Sequence, residues 1–173
     1  MSCDGDTAEI EALYEKEDVA REIISEVKIT YSDSAKVRLM VTSPLMIRSE
    51  IDNKMIEEFP DGLFVEFFHN SFNPQSWLKA EKGIRYPDDK KIILRGNVQL
   101  YNEKNDKLES SELIWNEETQ EISTEKFVRI TQPERGDTTY GFGFISDQQF
   151  KRFEIKRKFS GKIEEEMLKE LGD

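Results

Sequence analysis

Alternating apolar and polar residues recur along this chain in units that each begin with a polar turn. The two clearest units match at Ile92 and Ile122 and again at Val98 and Val128, and both pairs are 30 positions apart. That spacing corresponds to the length of a β-hairpin. A unit that alternates with period two cannot bury its apolar face alone, so we expect the copies to pair into one sheet system.

The alternation and the turn signals predict an all-β domain over residues 26–160. Strands are expected at 27–31 and 36–42, with Pro44 ending their pairing, and another strand follows the turn Phe59-Pro-Asp-Gly62. Further polar turns come at intervals of roughly ten to fifteen residues, which is the spacing of an antiparallel sandwich or barrel.

Both ends of the chain depart from this pattern. Residues 1–25, with Ile10, Leu13 and Tyr14 at helical spacing, predict a short helical or irregular N-terminal tether. Residues 161–173 predict a short amphipathic helix as a C-terminal tail.

Charge and cysteine content restrict the partners of the chain. The net charge of −11 argues against nucleic acid, which requires a cationic surface. A single cysteine, Cys3, excludes an internal disulfide framework and a cysteine metal cluster. Ser2-Cys3 also fits the last two positions of a lipoprotein processing site, so Cys3 is either a lipid anchor or an accidental free thiol.

Residue types that carry catalysis or hold metals do not cluster in the sequence. The one histidine, His69, has no cysteine or carboxylate partners at ligand spacing. Ser71 and Ser111 lack the glycines of a nucleophile elbow, and no glycine loop for phosphates occurs. We therefore expect no enzymatic activity, no cofactor and no metal site.

Pairs of apolar residues two positions apart should face one side of their sheet. Such pairs fill an ordinary packed core or line an apolar slot, and the pattern alone does not separate these alternatives. The nine candidates for the slot are Leu39, Val65, Phe67, Val98, Leu100, Val128, Ile130, Phe142 and Phe144.

A series of motifs, taken in order, resembles the LptC-type family of periplasmic lipopolysaccharide-export proteins, in its lipoprotein-like branch. The likeness runs from about Tyr31 to Gly161, and the same repeat occurs in related bridge and outer-membrane components of that export route. The motifs are Tyr31-Ser-Asp-Ser34, Phe59-Pro-Asp-Gly-Leu63, Leu78-Lys-Ala80, Gly96-Asn-Val98-Gln-Leu100, Ser111-Glu-Leu-Ile-Trp115 and Gly141-Phe-Gly-Phe-Ile-Ser-Asp147.

The resemblance implies an open antiparallel β-jellyroll of two sheets whose apolar groove, lined by the nine candidates, holds the acyl chains of the lipid A part of lipopolysaccharide. It implies a periplasmic protein, anchored in a membrane by lipid at Cys3, that has no enzymatic role. Such a protein accepts the lipid from inner-membrane ABC transporter subunits. It then passes the lipid to a periplasmic bridge protein of the same fold through edge-to-edge strand pairing.

The last predicted strand is a candidate for that pairing. It contains Phe153 and Ile155 within the basic run 151–158, which is either a solvated edge strand, its ordinary interpretation, or an anion site. We expect this edge to bind the bridge protein, and the edge near Glu26 to Tyr31 to face the transporter.

The rival interpretation is a non-transport surface lipoprotein, structural or carbohydrate-binding, with a fully packed β-sandwich. It predicts a closed core and an aromatic platform on an outer face, formed by Trp77 or Trp115. A groove that side chains leave unfilled would favour transport, whereas a closed core would favour the rival.

Overall fold

The computed structural model describes residues 20–69 and 72–171, which form one antiparallel sheet of eleven strands. The all-β prediction and the short C-terminal helix are confirmed. The elements are β1 (Arg21–Asp33), β2 (Lys36–Ile51), β3 (Lys54–Phe59), β4 (Leu63–Phe67), β5 (Ser76–Ala80), β6 (Lys82–Tyr86), a 3-10 turn (Pro87–Asp89), β7 (Lys91–Asn102), β8 (Lys107–Asn116), β9 (Glu121–Gln132), β10 (Asp137–Asp147), β11 (Phe153–Lys158) and α1 (Glu165–Lys169).

The predicted tether lies mostly outside the described residues. β1 already begins at Arg21, ahead of the predicted domain boundary at residue 26. Ile24 of this early segment packs against the core, which explains why the strand extends so far toward the N-terminus. The division into tether, domain and tail otherwise stays a prediction.

The strand register explains the repeat of 30 residues. Ile92 and Ile122 lie on either side of Trp115, because β8 pairs with both β7 and β9. Val98 and Val128 flank Ser110 in the same way. Each repeat unit is therefore one hairpin, and matching residues sit two strands apart on one face of the sheet.

A line of backbone irregularities crosses the long strands, and we call it the seam. The pairing register shifts between Arg95 and Val98 of β7 and at matching places in β8, β9 and β10. Gly96 and Gly143 lie on the seam with φ of +80° and +78°, a left-handed conformation that glycine adopts without strain. Bulges of this kind bend and twist a strand, so the sheet folds along the seam.

Pro44 lies on the same line in β2, and the prediction that it ends the pairing of β1 and β2 is wrong. Ser43 pairs with Val27 and Leu45 pairs with Ser25, so the ladder continues past the proline. Near the proline, the pairing is interrupted at the step opposite Pro44, at Glu26, whose φ is +51°. Proline has no N–H to donate, and at this bend no partner strand requires one.

The seam divides the sheet into two halves that face each other. β2 is joined to β7 through β4 and β5 in one half and through β3 and β6 in the other. Phe67 of β4 contacts Trp115 of β8 across the interior, with ring centroids 5.0 Å apart. Half A comprises β3, β6 and residues 91–95, 112–116, 121–124 and 144–147, and half B comprises β4, β5 and residues 98–102, 107–110, 127–132 and 137–142.

This folded sheet has the β-jellyroll arrangement that the sequence predicted. Among the described strands, β1 pairs only with β2 and β11 pairs only with β10. The two strands are therefore the edges of the sheet, one at each end of the chain.

Candidate functional site: the interior and rim of the folded sheet

Eight of the nine candidate groove residues face the interior between the halves. Leu39 is half-buried and packs against the core, and the other seven have at most 1% of their surface exposed. Those seven are Val65, Phe67, Val98, Leu100, Val128, Ile130 and Phe144.

The ninth candidate, Phe142, does not face the interior, so the expectation that it shares a face with Phe144 is wrong. Phe144 lies in the core, whereas Phe142 contacts the ring of Phe127 at 5.2 Å on the outer face of half B. Tyr140 stacks on that same outer ring. The left-handed Gly143, together with the register shift beside it, breaks the alternation between the two phenylalanines.

The interior is filled by its own side chains. Phe144 lies with its ring centroid 6.0 Å from those of both Phe150 and Phe153. On the criterion stated above, a filled interior favours the packed sandwich for this conformation. An acyl chain would therefore have to displace side chains by separating the two halves.

Four contacts hold the halves together along the strand ends opposite the seam, and we call this line the rim. Two of the contacts involve rings, and two are hydrogen bonds to backbone carbonyls. They join Tyr31 to Arg85, Phe67 to Trp115, Ser76 to Gln148 and Asn102 to Phe150.

The turn between β10 and β11 provides the hydrogen-bond acceptors of the rim. The Ser76 hydroxyl donates to the Gln148 carbonyl at 2.7 Å, and the Asn102 side-chain amide donates to the Phe150 carbonyl at 2.9 Å. Phe150 is fully buried in this turn despite its positive φ of +54°. In this part of the rim a turn closes the space between the halves. Its two hydrogen bonds come from side chains and do not belong to the strand pairing.

A row of alternating charges lies on the interior-facing side of half A. The register places Arg48, Glu57, Arg85 and Ile92 side by side, and Ile92 belongs to the core. Arg85 donates to Glu57 at 2.9 Å through Nη1 and to Glu117 at 2.7 Å through Nε. Arg48 donates to the other oxygen of Glu57 at 3.1 Å through Nη2. Every charge in the row is therefore matched.

The ring of Tyr31 lies over Arg85 at 5.4 Å and connects edge strand β1 to this row. Burial raises the pKa of the Tyr31 hydroxyl, and the positive charge of Arg85 opposes that effect. Burial alone would lower the pKa of Arg85, but its hydrogen bonds to Glu117 and Glu57 outweigh burial and raise it. Both side chains keep their neutral-pH protonation states, so the contact is a permanent cation–π pair.

The sequence did not predict the charged row. An alternating pattern is expected to place the apolar Ile84 in the interior and the charged Arg85 outside it. Ile84 instead packs on the opposite face with Ile51 and Ile56 in a small separate cluster. A local signal was present, since Glu57 and Glu58 follow two apolar residues on a strand that should bury one face. Their partners are far away in sequence, and no periodicity identifies them.

The predicted partner edge, with Phe153 and Ile155, is the outermost strand of its end of the sheet. Both side chains point into the interior, since Ile155 is part of the core and Phe153 packs against it. The backbone of Asp147 donates to the carbonyl of Arg152. Because antiparallel ladders alternate, this bond places the N–H group of Phe153 toward the free edge.

A recess of about 650 Å³ lies beside this edge, between the β9–β10 turn and the start of β11. The apolar part of its lining is formed by Phe153 and Ile155, and we call these two residues the floor. Charged side chains make up most of the rest of the lining. Part of the interior surface is thus accessible at the C-terminal end of the rim.

The two tryptophans have different environments. Trp115 is buried in the core, and its Nε1 has no hydrogen-bond partner among the described residues, so it cannot be a surface platform. Trp77 is half-buried and stacks on Tyr101 with ring centroids 5.4 Å apart. Its neighbours in the register, Glu66 and Tyr101, lie on the outer face of half B.

The remaining sequence candidates have little structural context. Cys3 lies outside the described residues, so its role as a lipid anchor stays a prediction. Within residues 20–69 and 72–171, no helix is long and apolar enough to cross a membrane.

Comparison with known families decides the broader assignment. Residues 56–164 match the family described as lipopolysaccharide-assembly, LptC-related, and this match covers more than half of the chain. The chain belongs to the LptC-related family. Proteins of this family are periplasmic, membrane-associated components of lipopolysaccharide transport. The LptC-related segment begins in β3 and ends just before α1, so it contains the whole seam from β7 to β10. No curated protein matches the chain.

Proposed function

We propose that this protein carries lipopolysaccharide by enclosing its acyl chains between the two halves of the jellyroll. The observation that carries the proposal is the continuous apolar interior of an LptC-related fold, formed by residues from β2, β4 and β7 to β11. An acyl chain of about a dozen methylenes gains on the order of 10 kcal/mol by leaving water. Transfer through an aqueous compartment therefore needs a shield of this kind.

Loading requires the rim to open, because the interior is filled when the rim contacts are made. Two hydrogen bonds and two ring contacts hold the rim, and each is worth on the order of 1 kcal/mol. The rim contacts alone are worth less than the gain from burying one acyl chain, and the bound acyl chain replaces the apolar packing that opening removes. The seam keeps the halves joined, and it acts as the hinge.

Site-specific photo-crosslinking tests this function. A photoreactive amino acid at Phe67 or Leu100 faces the interior, and one at Phe142 provides a matched outer-face control in the same sheet. We expect lipopolysaccharide adducts at the first two positions and none at Phe142. Adducts at all three positions, or at none of them, would contradict enclosure of the lipid.

The two edge strands support a route for the lipid. We propose that β1 faces the subunits of an inner-membrane ABC transporter and that β11 pairs with a bridge protein of the same fold. Phe153→Pro and Ile155→Pro remove backbone donors of the edge strand, whereas Phe153→Ala and Ile155→Ala remove only the side chains. Strand pairing is contradicted if each proline variant binds the bridge protein as tightly as its alanine control.

We also propose that Cys3 carries the membrane anchor. Mass spectrometry of the protein purified from membranes should show a peptide acylated at Cys3. Substitution of Cys3 by Ser should release the protein into the soluble periplasmic fraction. A membrane-bound Cys3→Ser variant would show that another attachment exists.

A second candidate, carbohydrate binding, is favoured by the half-exposed stack of Trp77 and Tyr101 and by the filled interior. Aromatic rings of this kind present a flat apolar face at a polar surface. Under this alternative, Trp77→Ala should abolish binding of lipid-free oligosaccharide, and the interior substitutions should have no effect. No binding of the oligosaccharide by the native protein would eliminate it.

A further inference from the structure

The recess at the C-terminal end of the rim contains both apolar and charged surface. Phe153 and Ile155 form its floor, and Thr139 on the opposite side is paired with Ile130 of the core. The recess therefore opens onto the interior between the halves. An amphiphile bound here would contact the core at one end and water at the other.

The basic side chains of the recess have no ion-pair partners within the described residues. Elsewhere in the sheet, arginines such as Arg48, Arg85 and Arg129 are all paired with glutamates. The lining of the recess contains Lys104, Arg135, Lys151, Arg152 and Lys158, together with the carboxylates Asp106, Glu134, Asp137 and Glu154.

Unpaired cations beside an apolar floor suit an anionic head group attached to acyl chains. An incoming anion does not have to break an ion pair, because it replaces only the water around these cations. Arginine and lysine donors form charge-assisted hydrogen bonds with phosphate oxygens, and those bonds are stronger than neutral ones. The five basic side chains of the lining outnumber its four carboxylates, so the recess has a net charge of +1 in a chain with a net charge of −11.

We propose that this recess binds a phosphate group on the lipid A head while the acyl chains pass Phe153 into the interior. The proposal rests on the proposed function and specifies the ligand group and its position. Among the basic residues of the lining, Arg152 and Lys151 lie closest in sequence to the floor, and they are the principal phosphate ligands. The recess fixes the head at the C-terminal end of the rim, beside the edge strand that hands the lipid on.

Binding of phosphorylated and dephosphorylated lipid A tests the site. The full chain is titrated at fixed ionic strength with lipid A carrying its phosphates and with the same lipid after phosphatase treatment. The recess variant combines Lys151→Glu and Arg152→Glu. The control variant combines Lys79→Glu and Lys82→Glu, which makes the same charge change at two exposed positions of β5 and β6 outside the recess.

We expect the native protein and the control variant to bind the phosphorylated lipid about tenfold more tightly than the dephosphorylated one, the effect of one charge-assisted contact at an exposed site. The recess variant should lose this preference and keep its affinity for the dephosphorylated lipid. Thermal unfolding of all three proteins verifies that they are folded.

Three outcomes would overturn the proposal. A recess variant that keeps the preference places the phosphate elsewhere, and the proposed function then stands. An equal loss of affinity for both lipids shows that the recess acts on the acyl chains. Millimolar inorganic phosphate should weaken the preference of the native protein, because it competes for the same cations, and it should have no effect on the recess variant. If the native protein binds neither lipid, the proposed function fails together with this site.

Discussion

Phe142 and Phe144 are two residues apart in one strand, yet the structure predicts very different consequences when each is shortened to alanine. Phe144 has no exposed surface and lies among Phe150 and Phe153. Its replacement leaves a cavity, so Phe144→Ala should lower the free energy of unfolding by about 3–5 kcal/mol. Phe142 is half-buried and its ring contacts Phe127 and Arg157 on the outer face, so Phe142→Ala should cost roughly 1–1.5 kcal/mol.

Urea unfolding measures both values, with the combined fluorescence of Trp77 and the buried Trp115 as the signal. The dependence of the free energy on urea should be the same for both variants if only the native state is affected. Phe144→Leu keeps most of the volume and should lose less than half of the alanine value. Equal losses for the two alanine variants, or a larger loss for Phe142, would refute the conclusion that the seam reverses the facing of β10.

Further expectations concern the seam, an outer-face ion pair and the charged row. Gly143→Ala should cost about 1–2 kcal/mol of stability in urea, because its φ is positive and because the added Cβ would lie 3.0 Å from side-chain carbons of Lys156. Gly136→Ala, also at positive φ but with open space around it, reports the backbone effect alone, and a larger loss there would contradict crowding at the seam. Burial would raise the pKa of Glu109, but the hydrogen bond and charge of Arg129 outweigh burial and lower it. The native protein should therefore lose stability as the pH falls below about 4.5, and the pH profile of Glu109→Gln should be flatter there. Arg85→Met leaves Glu117 without its ion-pair partner and Glu57 with Arg48 alone, so it should cost about 3–5 kcal/mol in the same urea assay, and a loss under 1 kcal/mol would show that the row is solvated.

The hairpin repeat could be predicted from sequence because its signal is local. Ile92 and Val98 have their counterparts 30 positions later, and both members of each pair flank one residue of β8. The prediction that a side chain faces the interior is correct where the alternation is uninterrupted, as at Val65 and Phe67.

Predictions failed where one residue changes the phase of the alternation. Gly143 reverses the facing between Phe142 and Phe144, and a glycine in a strand does not by itself reveal a bulge. Pro44 was interpreted as a strand end, because proline normally interrupts strand pairing. The strand accommodates it at a bend, and that bend exists only in the folded sheet. The recess could not be predicted from the sequence for a related reason. Lys104, Arg135 and Lys151 are far apart in the chain, and only the folded sheet brings them together.

The seam has a consequence for how proteins of this design change in length. Each unit of β7–β8 or β9–β10 carries its own piece of the bend, so an inserted hairpin of the same kind would continue both halves without disturbing its neighbours. Adjacent strands lie about 4.8 Å apart, so one such duplication would lengthen the enclosed trough by about 10 Å. Growth would then occur in whole hairpins, because a single added strand would reverse the direction of every strand that follows. Trough length in such chains is a modular quantity that gene duplication can change in fixed steps.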